Sequence, residues 1–324
     1  MFELRIVLAV SSVSFAALGQ AAPPGELAAD LSAASAASPR PRECAPDAGG
    51  TRSHWDRARR PRARAFCDAL ARGYAELFRA PDRAIAAAAR AKELAPGSAA
   101  PFVLEGRALV GSGREQEAWP AFLRARSLDS RSFAEPAALH DLALAALANQ
   151  EQADAVAAYR ALVPRASMLA DPRRRQRVYL EAAMTVMRGD ASTLDEALGY
   201  LGEARRLRGL PGLSDVVLGA TALTLDRQGR HDEARGVAAE ARGPLGVVRL
   251  AGSPDRERVV WLPASELSAI AAMLSERGHP EVAKKHWRAF LDSPDAARSP
   301  WLAHAKKKLE SVGAGPRRGG KPAR

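Results

Sequence analysis

Between residues 65 and 312 the apolar positions recur at helical spacing and are dominated by alanine. The clearest stretch is Ala100–Ser130, where Phe102, Gly106 and Leu109 share one stripe and Gly113 interrupts it. Ala118, Phe122 and Ala125 then form a second stripe at i, i+4 and i+7, which Leu128 continues up to Asp129 and Ser130. This pattern predicts two antiparallel helices. Gly106 and Ala118 let them approach, while Phe102, Leu109 and Phe122 fill the space on either side. Pro120 is expected early in the second helix, where a missing N–H costs least.

The second stripe repeats. Ala84, Ala88, Ala91 and Pro96 are echoed 34 residues later by Ala118, Phe122, Ala125 and Ser130. A fixed period of this kind predicts stacked units rather than one closed core. Further units place Ala143 and Leu147 before Ala155, Tyr159, Leu162 and Pro164, and Tyr179 and Ala182 before Ala197, Leu201 and Ala204. A fifth runs Leu218, Ala222, Leu225, Gly229, Ala234, Ala238, Ala241; a sixth runs Leu267, Ala271, Leu274, Gly278, Ala283, Trp287, Phe290. The leading alanines stand at 84, 118, 155, 197, 234 and 283, so the intervals are 34, 37, 42, 37 and 49. The excess residues at Arg165–Arg177 and Gly243–Pro263 are expected in loops between units. The second insertion holds two short β-type runs, Val247–Leu250 and Arg258–Leu262, which predict an irregular loop, with a small hairpin as the alternative. Residues 301–312 read as a closing helix, with Trp301, Ala305 and Leu309 inward and Lys306, Lys307 and Lys308 largely outward.

The order of a large residue, a Gly or Ala, a second large residue, then Ala, aromatic, Ala and Pro at fixed offsets resembles the tetratricopeptide repeat. The likeness covers about residues 65–293; Arg72 departs from it, standing where Gly or Ala is usual. It implies an all-α chain forming a right-handed α-solenoid of about six antiparallel helix pairs plus a C-terminal closing helix. It also implies that the first helix of each pair lines a concave groove. Carried over by register, the groove residues are Arg107, His140, Leu144, Leu223, Asp226, Ser268 and Ser275. Some members of the family grip a chaperone tail carboxylate with Lys and Asn. The one asparagine here, Asn149, lies at a turn, which argues against that specialisation.

Composition agrees with helix, since Ala, Leu, Arg and Glu dominate and aromatics make up 5%. Lys and Arg outnumber Asp and Glu by 48 to 37, a net charge of +11. That excess raises the alternative of an acidic-polymer binder acting on nucleic acid, anionic lipid or acidic glycan. The basic residues are scattered, however, and few aromatics accompany them for base stacking. Solvated arginine faces account for them more simply. Arg57–Arg64, Arg173–Arg177 and Lys306–Arg324 are the segments such a binder would use.

Residues 1–21 have the pattern of a signal peptide, with Arg5 before an apolar stretch from Ile6 to Leu18 and then Gly19, Gln20 and Ala21. This predicts export to a periplasmic or envelope-associated location, with no transmembrane segment after removal. Residues 22–64, rich in Ala, Pro and Arg, are expected to form a disordered linker, and 313–324 a basic disordered tail. Cys44 and Cys67 are candidates for a disulfide in an oxidising compartment, with two unpaired thiols as the alternative.

The chain lacks nucleotide-binding glycine motifs, a zinc-protease motif and a nucleophile elbow. Cys44, His54 and Cys67 fit no common zinc spacing, so neither metal nor cofactor is expected. His140 and Asp141 are adjacent, yet both fall on the first helix of a repeat, where polar residues ordinarily face solvent or groove. The sequence therefore favours a non-catalytic scaffold or assembly factor of the cell envelope, binding a peptide or helix of a partner protein in the groove. Specific nucleic-acid recognition is not expected. An enzyme with the stack as accessory ranks last.

Overall fold

A computed structural model describes residue 44 and residues 61–188, 191–207, 211–253 and 262–313. Among the described residues there are fourteen α-helices and no strand: α1 (Pro61–Glu76), α2 (Pro81–Leu94), α3 (Ala100–Gly111), α4 (Glu115–Leu128), α5 (Pro136–Ala148), α6 (Gln152–Leu162), α7 (Pro172–Val186), α8 (Leu194–Arg206), α9 (Pro211–Arg227), α10 (His231–Glu240), α11 (Leu245–Ala251), α12 (Ala264–Ser275), α13 (Pro280–Leu291) and α14 (Leu302–Gly313). Six of them open on proline, whose fixed φ suits a first helical residue and whose missing N–H has no intrahelical acceptor there.

Neighbouring helices pack in pairs: α1 with α2, α3 with α4, α5 with α6, α7 with α8, α9 with α10 and α12 with α13. The alanines at 84, 118, 155, 197, 234 and 283 are all fully buried, which places them where two helices approach most closely. The glycines of the first helices serve the same end. A Cβ on Gly106 would lie 2.6 Å from the Phe122 ring, and one on Gly219 would lie 2.4 Å from Ile270 Cγ2. On α1 the close approach falls on Gly73, next to the anomalous Arg72; a Cβ there would lie 2.4 Å from Leu104 Cδ2 of α3.

The core extends along the chain instead of gathering at one centre. Ile85 touches both the N-terminal and the middle cluster of buried side chains, and Tyr179 and Tyr200 touch both the middle and the C-terminal one. Such serial packing suits a stack in which each unit buries the apolar face of the next.

Several boundaries differ from the sequence expectation. The linker expected over 22–64 gives way to helix at Pro61, so the last residues of the basic run are the first turn of α1. The insertion 165–177 is not a loop. It is part of a 3₁₀ segment, Val163–Met168, followed by the start of α7, where the Asp171 carboxylate accepts from the Arg173 N–H as a cap. The run Val247–Leu250 is neither loop nor hairpin but lies inside α11, which buries Val247 and packs against α9 and α12. Burial on two helices outweighs the β preference of two adjacent valines. The other run falls on residues 258–261, outside the described residues, apart from the buried Leu262. Pro120 lies inside α4, beyond its first turn. Lys308 turns inward rather than outward, 2.7 Å from Asp226 and 2.8 Å from Glu276.

Candidate functional site

The turns within helix pairs share one construction. Gly113, Gln150 and Gly229 all have left-handed φ, at 75°, 65° and 80°, and each stands five residues before a buried alanine of the register. In each turn the following N–H reaches back to close the helix: Arg114 to Leu109 O, Glu151 to Ala146 O and Arg230 to Leu225 O. Glycine takes this conformation freely, so Gln150 is the strained member.

The first two of these turns, at Gly113 and Gln150, help line a cavity of about 990 Å³. Its N-terminal wall is residues 113–117, the turn after α3 and the first turn of α4. Its second wall is Leu147 and Ala148 at the end of α5, Gln150 in the turn and Gln152 at the start of α6. The far side comes from Arg188 after α7, from Leu262, Pro263 and Glu266 at the start of α12, and from Asp295 and Arg298 in the 3₁₀ segment Pro294–Arg298. Residues more than a hundred positions apart thus face one space.

Its polar groups are unevenly satisfied. Arg114 holds Glu117 through two contacts, at 2.8 and 2.6 Å, and Gln152 Nε2 donates to Thr185 O at 2.7 Å. Asn149 Nδ2 donates to Ala145 O at 2.9 Å and to Gln116 O at 3.3 Å. Arg188 donates to Glu266 Oε1 at 3.1 Å, but Glu266 Oε2 and Arg188 Nε are both buried with no hydrogen-bond partner. Burial pushes the Glu266 carboxyl above its ordinary range, and the Asp295 charge adds to this; Arg188 and Ser299 pull the other way without cancelling it.

The groove positions carried over by family register occupy different surroundings. Arg107, His140, Leu144, Leu223, Asp226 and Ser275 are buried, Ser268 is partly exposed, and none of the seven lines the cavity. Arg107 holds Glu135 at 2.6 Å and Asp141 at 2.9 Å. His140 Nε2 lies 2.7 Å from Glu181 Oε2, whose other oxygen accepts from Arg177 at 2.7 Å. Asp226 meets His231, His304 and Lys308 at 2.6, 2.8 and 2.7 Å. Ser268 and Ser275 donate to carbonyls of their own helix, Ala264 O and Ala271 O. The charged and histidine side chains among the seven, Arg107, His140 and Asp226, therefore reach other helices.

The same networks set ionisation. Glu181 is fully buried, and burial alone would raise its carboxyl; Arg177 and His140 outweigh that and lower it to about 2. Asp226 is likewise held well below the usual carboxylate range by His304, Lys308 and His231 against its burial. His140 and Asp141, adjacent in sequence, serve separate networks: Asp141 faces Arg107 and Arg174.

Cys44 and Cys67 form a disulfide with Cα atoms 5.5 Å apart, tying residue 44 to α1. His54 and residues 1–21 lie outside the described residues. Among the described residues, no three His, Cys, Asp or Glu side chains are grouped to hold a metal ion, and no helix is long and apolar enough to cross a membrane.

No protein-family model matches this chain, and no curated protein matches it.

Proposed function

We propose that the chain is a non-catalytic scaffold or assembly factor of the cell envelope, built as a tetratricopeptide-like, right-handed stack of antiparallel helix pairs. It holds a peptide or helix of a partner protein in the groove that includes the cavity of about 990 Å³. The observation that carries this reading is the origin of the cavity wall. Turns of the second and third pairs and the opening of α12 contribute to one concave space, the geometry by which a serial stack receives an extended ligand. Export, proposed from the leader pattern in residues 1–21, would place that partner in the periplasm or envelope. No cofactor enters the reading.

The acidic-polymer alternative loses part of its basis. Within the basic segments, Arg174 faces Asp141, Arg177 binds Glu181 and Lys308 binds Asp226 and Glu276. Arg174 and Lys308 thereby join separate helices, and Arg177 is paired within its own.

A photo-crosslinking residue in place of Gln116, on the cavity wall, should capture a partner protein from the native envelope, whereas one in place of the exposed Asp232 should not. Binding of the captured partner should change little between low and moderate salt. Equal capture at both positions would remove the groove reading. A steep loss with salt would favour the polymer reading, because counterion release governs such binding.

A further inference from the structure

Gln150 holds a strained backbone that brings nothing to the fold. Its φ is 65°, where the equivalent turns carry Gly113 and Gly229 at 75° and 80°. A Cβ disfavours that conformation, and glycine adopts it freely. The turn is closed by main-chain contacts alone, Asn149 N–H to Ala145 O and Glu151 N–H to Ala146 O. The amides on either side are spent within the fold, Asn149 on Ala145 O and Gln116 O, and Gln152 on Thr185 O. The Gln150 side chain is exposed and lines the cavity, and among the described residues its amide has no hydrogen-bond partner. Backbone strain of this kind persists where it positions a group for use.

The surrounding wall narrows what that group can meet. Gln116 is exposed on the adjacent turn and offers a second amide side chain without a partner among the described residues. Asn149 joins the two turns through the Gln116 carbonyl at 3.3 Å. Arg114 and Arg188 are each held by a carboxylate, Glu117 and Glu266, so their charges are offset on the spot. Asp295 and Arg298 bring opposite charges on one 3₁₀ segment. What the first two turns present is therefore neutral. A carboxamide donates and accepts at once, which matches the N–H and C=O of a peptide group rather than an anion or a cation.

We propose that Gln150 is a specificity-determining residue of the cavity, its carboxamide pairing with a main-chain peptide group of an extended, uncharged partner segment, and that Gln116 pairs with a second. The inference rests on the groove reading and adds that recognition runs through the main chain of the ligand. Such bonds supply affinity while tolerating sequence, and Leu147 and Leu262 offer apolar wall to the side chains.

The probe is a fluorescein-labelled, uncharged Ser/Thr/Val decapeptide, with an analogue in which every peptide bond is an ester, each titrated into the full chain by anisotropy. The native chain should bind the peptide about 5-fold tighter than the ester, the loss expected for a neutral hydrogen bond. Gln150→Gly should raise the melting temperature by about 3 °C by relaxing the turn, yet weaken peptide binding about 5-fold and erase the preference over the ester. Gln150→Asn, which keeps a carboxamide on a residue that tolerates this conformation, should restore part of the binding. A residue that merely closes the turn would give the rise in melting temperature with binding unchanged. That result, equal binding of peptide and ester by the native chain, or a lower melting temperature in Gln150→Gly overturns the inference and leaves the groove reading standing. Failure of both probes to bind the native chain counts against the groove reading itself.

Discussion

The Asn149 side chain donates to the carbonyl of Gln116, 33 residues earlier, at 3.3 Å. That carbonyl is the one Pro120 leaves without its helical donor, because Pro120 lies four residues further along α4 and has no N–H. A side chain from the third helix pair thus fills a gap in the second, beside the cavity wall. Replacing Asn149 with Ala should cost about 1 kcal/mol in urea denaturation. Pro120→Ala restores the N–H, so the cost of Asn149→Ala should shrink in that background. A cycle of the four proteins with no coupling would show that the 3.3 Å contact carries no energy.

Stability should respond to acid through Glu181. Its folded value, about 2, is below the ordinary 4.5. A lowered carboxyl contributes stability that is present above 4.5 and lost as pH falls through 4.5 toward 2. At about 1.4 kcal/mol per unit the full contribution is about 3 kcal/mol. Glu266 has the opposite sign, since a raised carboxyl loses stability as pH rises above its ordinary value. Glu181→Gln should therefore flatten the acid limb of a stability–pH curve, and Glu266→Gln should flatten the decline on the neutral side. Parallel curves for wild type and Glu181→Gln would contradict the account.

The packing of helix pairs was legible in the sequence, and its electrostatics was not. A small residue is required where two helices nearly touch, so Ala84, Ala118, Ala155, Ala197, Ala234 and Ala283 mark the contacts directly. Family register places Arg107, His140 and Asp226 in the groove, and it carries no information on the partners that bury them. Their carboxylate or cationic partners stand on other helices, often about one repeat away, as Asp141 does 34 residues from Arg107. The cavity was harder still. Its wall comes from turns, helix ends and 3₁₀ residues spread between Gly113 and Arg298, and no local pattern announces that they converge. α11 was missed because seven residues are too few for helical periodicity to overrule Val247 and Val248.

Two glycines should respond differently to the same substitution. A Cβ on Gly106 would meet three ring atoms of Phe122 at 2.6–2.8 Å, and a ring buried at 0% exposure has nowhere to go. Gly106→Ala should cost about 2 kcal/mol by overpacking. At Gly73 the obstacle is Leu104 Cδ2, the far end of a side chain with other rotamers, so Gly73→Ala should cost distinctly less. Gly106→Ala combined with Phe122→Leu should recover part of the loss. Equal melting shifts for the two single variants would refute the ring contact as the cause.

Asp226 acts as the fastening of the last helix. From α9 it reaches His304 and Lys308 of α14 at 2.8 and 2.7 Å, and Lys308 also reaches Glu276 at the end of α12. Asp226→Asn removes the charge that both cations face and should weaken the docking of α14 by about 2 kcal/mol, less than a fully dry pair because His231 on the same carboxylate is largely exposed. Hydrogen exchange should quicken over residues 302–313 while the pair α3–α4 stays protected. The carboxyl is held well below its ordinary 3.8, so its contribution is fully present above that value and is lost as pH falls from 3.8 toward the lower value of the folded state. Uniform acceleration across all helices would mean that Asp226 supports the whole stack rather than its closing helix. Unchanged exchange at 302–313 would mean that burial of Trp301 and Ala305 alone keeps α14 in place.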